Sequence, residues 1–123
     1  MLFQENIKNA AKRNEAFRRV LSTGKKSQLV LMAIPEGEDI GSEVHPATDQ
    51  ILFIVDGEGK AVVNGKAFEV GENDVVFVPA GARHNLINSG DEELKLFTVY
   101  SPPEHADGTV HETKAEALAA EHA

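Results

Sequence analysis

Glu43, His45 and Gln50 lie within one short stretch, and His84 follows downstream; these side chains are the ones in the sequence best suited to grip a metal ion. In an extended strand successive side chains alternate between faces, so Glu43 and His45 point the same way. Gln50 opens the next apolar run after the turn Pro-Ala-Thr-Asp and can lie opposite His45. His84 begins a later run after the tight turn Pro-Ala-Gly-Ala-Arg. If these strands close into a barrel, the four side chains come to a common level inside it. Two imidazoles, a carboxylate and an amide oxygen suit Fe(II), Mn(II), Zn(II) or Ni(II). The chain has no cysteine, which excludes thiolate ligation and disulfides alike.

Each residue also has a plainer role. His45 could be a surface residue of the turn before Pro46, and His84 could cap its own turn through a ring nitrogen. Gln50 could be a satisfied polar residue at a strand start. Glu43 is a ligand, a partner to a ligand, or a general base. Asn88 is expected to bond backbone in its turn. Tyr100, the only tyrosine, ends the last strand and could reach the barrel mouth. His105 and His111 follow Pro102-Pro103 and are either solvated or carried back over the mouth by the tail. Glu43, Tyr100, His105 and His111 are thus the catalytic candidates. Arg83 should face away from the metal by alternation, Arg18 and Arg19 should serve the surface or a subunit contact, and His122 should be incidental.

The elements that must position these groups are short and evenly punctuated. Residues 4–15 read as a weakly amphipathic helix. Strands are expected at 17–21, 28–34, 42–45, 50–55, 60–64, 66–70, 74–79, 84–88 and 94–100, each pair separated by Gly, Pro, Asn or Asp. Asn64-Gly65 predicts a two-residue hairpin, because both residues tolerate the positive φ of a type I′ turn. After an extended Pro-rich segment, Thr113 and Glu116 form a capping box ahead of an Ala-rich helix. Such a pattern predicts an all-β sandwich or closed barrel. The 123 residues suit a single domain, with the barrel core at about 28–100 and the tail and helix at 101–123.

Composition narrows the partners. A net charge of −8 disfavours nucleic acid and anionic membranes, since nothing offsets phosphate repulsion. The N-terminal stretch is polar and no apolar run approaches membrane-spanning length. The default location is therefore cytoplasmic. A barrel of this size leaves sheet edges, and the first hairpin with its helix offers a surface for a homodimer with isologous contacts.

Two segments carry a family resemblance. The first runs Gly37, five residues, Glu43-Val44-His45, four residues, Gln50, six residues, Gly57; the second is Pro79-Ala-Gly81-Ala-Arg-His84-Asn-Leu-Ile-Asn88. In order and spacing these resemble the two consensus motifs of the cupin superfamily, over roughly residues 28–100. The likeness is to small cupins of the mannose-6-phosphate isomerase-like group. Glu43 stands where most cupins have a first histidine, Gln50 where they have glutamate, and Asn73 where the second motif has its leading glycine. The resemblance implies a double-stranded β-helix (jelly-roll) barrel of six to eight strands with one divalent metal in its mouth. It carries Glu43, His45, Gln50 and His84 over as ligands. Exchanging one imidazole for carboxylate and one carboxylate for amide leaves the formal charge at the metal unchanged.

In function, the resemblance implies a metal-dependent protein acting on a small substrate. Isomerase chemistry on a sugar-like or small carbonyl compound would use the metal to polarise the carbonyl and stabilise an enediolate, with a nearby base moving the proton. No basic cluster beside the motifs marks a phosphate site. Iron-dependent dioxygenase chemistry and non-catalytic binding are the alternatives.

Overall fold

The computed structural model describes residues 2–121; His122 lies outside them. In chain order the elements are α1 (Ile7–Arg13), β1 (Arg18–Thr23), β2 (Gln28–Ile34), β3 (Glu43–Val44), β4 (Asp49–Asp56) and β5 (Gly59–Val63). There follow β6 (Lys66–Val70), β7 (Val75–Val78), β8 (Arg83–Asn88), β9 (Leu94–Ser101), β10 (Val110–His111) and α2 (Lys114–Glu121). Strands pair antiparallel in two sheets, ordered β10-β1-β2-β9-β4-β7 and β3-β8-β5-β6. The all-β jelly-roll architecture is the expected one. The described residues form ten strands against the nine read from the pattern: the two-residue β10 falls outside every expected strand, and β3 is only two residues long.

Alternation decides what fills the barrel. Along β9, Leu94, Leu96, Thr98 and Tyr100 point inward, and the facing residues of β2 and β4 (Val30, Met32, Ile34, Leu52, Ile54) join them with Leu86 of β8. Ile54 and Leu86 thus face inward. Leu29, Leu31, Phe77 and Phe97 face outward, Phe77 at 57% exposure. A second apolar cluster lies outside the large sheet, where Ala10 and Ala11 of α1 cover Leu31 and Val55 beside the stacked Phe53 and Phe97 rings. At seven residues α1 is too short to persist alone, so this docking holds it; Asn6 caps it by accepting from Asn9 N. The helix thus covers its own sheet instead of offering that face to a neighbour.

The local signals behave as their chemistry requires. Asn64 and Gly65 have φ of 49° and 81°, the hairpin conformation expected. Asn73 also takes positive φ, at 71°, which explains how asparagine serves where the motif has glycine. Glu116 N donates to Thr113 Oγ1 and Thr113 N to the Glu116 carboxylate, completing the capping box. Lys114 then ties α2 to Asp39, whose carboxyl is held below its usual range by Asn85 and by that lysine.

Arg18 corrects an expectation. It is 2% exposed, not a surface residue. Two consecutive arginines in a strand must face opposite sides, and in β1 Arg18 shares the inner face with Val20. Arg19 faces out and donates to Asn14 Oδ1.

Gly57 and Gly65 separate two kinds of glycine requirement. At Gly57, φ is +98° and a Cβ would stand 2.9 Å from Glu93 O; at Gly65, φ is +81° with nothing within 4 Å. Gly57→Ala is therefore expected to cost about 2 kcal/mol or more, against about 1 kcal/mol for Gly65→Ala. Urea unfolding of both variants checks this order, and equal losses would contradict it.

Candidate functional site

Two registers bring the motif residues to one end of the barrel. In the small sheet β3 lies against β8 with Glu43 opposite His84. In the large sheet Gln50, Tyr100 and Gln28 stand side by side across β4, β9 and β2. The two motif turns are tied directly, since Gly81 N donates to His45 O. The His45 and His84 ring centroids are 5.3 Å apart. Glu43, His45 and His84 are thus gathered, and Gln50 is linked to them through Tyr100, whose backbone pairs with Gln50 and whose ring packs on His45. Arg83 points to solvent, and Asn88 bonds the backbone of Ile34, Glu92 and Gly90.

His45, 9% exposed, is held from both sides. Its Nδ1 lies 2.9 Å from Glu104 Oε1 and its Nε2 lies 3.3 Å from Glu43 Oε2. Thr48 Oγ1 donates to the other Glu104 oxygen. Burial raises the Glu43 carboxyl above its ordinary range, an effect that His45 and Arg18 oppose. His84 is buried with Nδ1 turned to Ala82 O at 3.4 Å, so Nε2 is the nitrogen available to a ligand. Burial also lowers its pKa and keeps the ring neutral. Gln50 Nε2 donates to Thr98 Oγ1, which leaves the buried Oε1 with no partner among the described residues.

The tail folds back over this end of the barrel. Gln28, 1% exposed, clasps it: its Nε2 donates to His105 O, and its Oε1 accepts from Glu104 N and His105 N. His105 then packs edge-on against Tyr100, at 5.1 Å between centroids, and Tyr100 packs the same way against His45, at 5.7 Å. Neither tail histidine is a freely solvated residue. Burial, with Arg18, His111 and His45 nearby, pushes His105 down to about 3, and its Nε2 is buried without a partner. His111 belongs to β10 and faces Arg18, with 3.4 Å between Nδ1 and a guanidinium nitrogen. Burial pushes the Tyr100 phenol far above its usual range, and Arg18 offsets only part of that.

These residues fit a metal ion on donor chemistry. A buried amide oxygen without a partner is costly unless something accepts its lone pairs. A histidine whose Nδ1 is fixed by a carboxylate is oriented to coordinate through Nε2. Among the described residues no three His, Asp or Glu side chains converge as a preformed cage, and Glu43 lies against the His45 nitrogen that a metal would take.

Residues 30–100 match the cupin domain family. The chain is a cupin. It is 48% identical to the YrkC protein of Bacillus subtilis over 126 aligned residues, covering 97% of this chain and 67% of that protein. The crystal structure of BH2720 from Bacillus halodurans superposes with a TM-score of 0.94 at 46% identity, over 95% of this cupin and 93% of that chain. The oxalate-binding protein of Thermotoga maritima is 32% identical over 68 residues, 55% of this chain and 56% of its own.

The motifs gave no sign of Arg18, Gln28, Thr48 or Glu104. The available signals were two consecutive arginines in one strand, one of which alternation turns inward (Arg18), and a polar residue at a strand end among buried neighbours (Gln28). Glu104 lies far in sequence from its partners.

The low His105 pKa has a sign that can be checked. A histidine held neutral in the fold binds fewer protons than in the unfolded chain below its ordinary value near 6.5, so stability falls as pH drops from about 6.5 toward 3. His105→Asn is expected to flatten part of that fall in Tm, measured in chelator by calorimetry. An unchanged pH slope would contradict this burial-driven titration.

Proposed function

We propose that this cupin holds one divalent metal ion with His45, His84, Gln50 and Glu43 and acts there on a small carbonyl or hydroxyl compound by isomerase-type proton transfer. The observation carrying this reading is the buried Gln50 Oε1, without a partner among the described residues, next to the Tyr100 whose ring packs on His45. When bound, the metal would supply Lewis-acid polarisation of a substrate oxygen. Glu104 fixes the His45 ring, and the clasped tail keeps water from the site. Glu43, its pKa raised, is the better candidate base, whereas His105, pushed down to about 3, is a weak proton acceptor whose buried Nε2 can serve a bound ligand. Tyr100 keeps its proton and serves as wall and hydrogen-bond donor.

Binding without turnover is a second reading. It is favoured by how fully the tail covers the site, and one relative is named for binding oxalate. Metal analysis of untagged protein is expected to give near one equivalent in wild type and little in His84→Ala. If neither protein takes up Mn, Fe, Ni or Zn, the reading fails. Exchange of solvent deuterium into a hydroxy-carbonyl probe separates turnover from binding, and bound iron with oxygen consumption would move the reading to dioxygenase chemistry.

The whole chain is proposed to work as one domain and to assemble as a homodimer. Strand β7 is a sheet edge whose Val75 and Phe77 are 60% and 57% exposed, and an exposed apolar edge is usually covered. Light scattering that gives a single 13.3 kDa species at micromolar concentration would contradict the dimer.

A further inference from the structure

On the inward face of β1 lies a guanidinium that forms no ion pair with a carboxylate among the described residues. This is Arg18, 2% exposed. Its Nε is buried with no hydrogen-bond partner among the described residues. The carboxylate that feels its charge, Glu43, is paired with His45 and not with Arg18. His111 Nδ1 is 3.4 Å from one terminal nitrogen, the Phe17 ring centroid is 5.5 Å from Cζ, and the Tyr100 phenol is within reach. Arginine cannot shed its proton to escape burial. A buried cation without a counter-ion opposes folding, and an apolar side chain of similar length would fill the same space without that penalty. The rest of this inner face is filled that way, by Val20, Met32 and Leu96.

Tyr100 links this cation to the candidate metal residues. Its ring packs on His45 and His105, and its backbone pairs with Gln50 and Gln28. We propose that Arg18 anchors the carboxylate of the small molecule bound at the metal centre, so that the substrate class is small carboxylic acids with a hydroxyl or carbonyl beside the acid group. The proposal rests on the metal-centre reading above. Nε and a terminal N–H form one edge of the planar guanidinium fork, which matches two carboxylate oxygens. One guanidinium balances one carboxylate. A doubly charged phosphate would be left in excess beside Glu43 and Glu104, which already add negative charge at this end of the barrel.

The test is calorimetric titration of metal-loaded protein with pyruvate and glycolate and with their neutral amides, pyruvamide and glycolamide. Wild type is expected to prefer each acid over its amide at least tenfold. Arg18→Met should keep its metal, lose the preference, and melt no lower than wild type without ligand; Arg18→Lys should keep part of the preference. Equal binding of acid and amide by wild type, absence of acid binding, or an undiminished preference in Arg18→Met overturns the proposal. A large drop in the melting temperature of Arg18→Met, with the acid preference intact in Arg18→Met or absent in wild type, would make Arg18 a structural residue. If Arg18→Met does not fold, the wild-type comparison and Arg18→Lys decide the matter. Metal content of the same samples separates the two readings. Wild type without metal contradicts the metal centre, whereas metal-loaded wild type without acid preference contradicts the role of Arg18 alone.

Discussion

Water is largely kept from one end of this barrel, and every polar group buried there must find a partner within the protein or in a ligand. The apolar interior below, from Leu94 and Leu96 to Ile54 and Met32, sets that constraint. The tail completes it by closing over the open end through Gln28 and Glu104. Most of the buried polar groups comply. Gln28 satisfies the tail backbone, Glu104 satisfies His45 and Thr48, and Asn88 satisfies three backbone groups. Among the described residues, Gln50 Oε1, His105 Nε2 and Arg18 Nε do not. All three unpartnered atoms belong to residues that pair with, pack on or lie within reach of Tyr100, at the same end of the fold.

The chemistry of the site follows from that shortage. Desolvation raises Glu43 and Tyr100 and lowers His84 and His105, so it favours the neutral form of each. Neutral imidazoles are the forms that coordinate metals and accept protons. The same burial leaves Arg18 as a permanent positive charge. A cation, a neutral base and an oxygen donor without a partner form a receptor for an anionic, oxygen-bearing molecule.

Much of this was legible in the sequence, for identifiable reasons. Period-two alternation gave most strands, and Asn64-Gly65 and Thr113/Glu116 gave a turn and a cap, because those signals are local. Glu43, His45 and His84 came together, with Gln50 linked to them through Tyr100, because short turns and a closed barrel leave few other arrangements. The misses were non-local. Strand β10 forms only because Val110 and His111 meet Arg19 and Arg18 across most of the chain. Glu104 and Gln28 become site residues through a tail contact that no periodicity encodes. Arg18 was misplaced because composition puts arginine outside, whereas the alternation of β1 puts it in.

The central question is what Gln50 Oε1 and the two histidines hold. Anomalous diffraction from crystals of the protein purified without chelator tests this directly. One metal peak is expected at about 2.0–2.3 Å from His45 Nε2, His84 Nε2 and Gln50 Oε1, with the Glu43 carboxylate swung off His45 to join them. Crystals grown with added Mn, Fe, Ni or Zn that show no peak there, and that keep Glu43 bonded to His45, would contradict the metal centre.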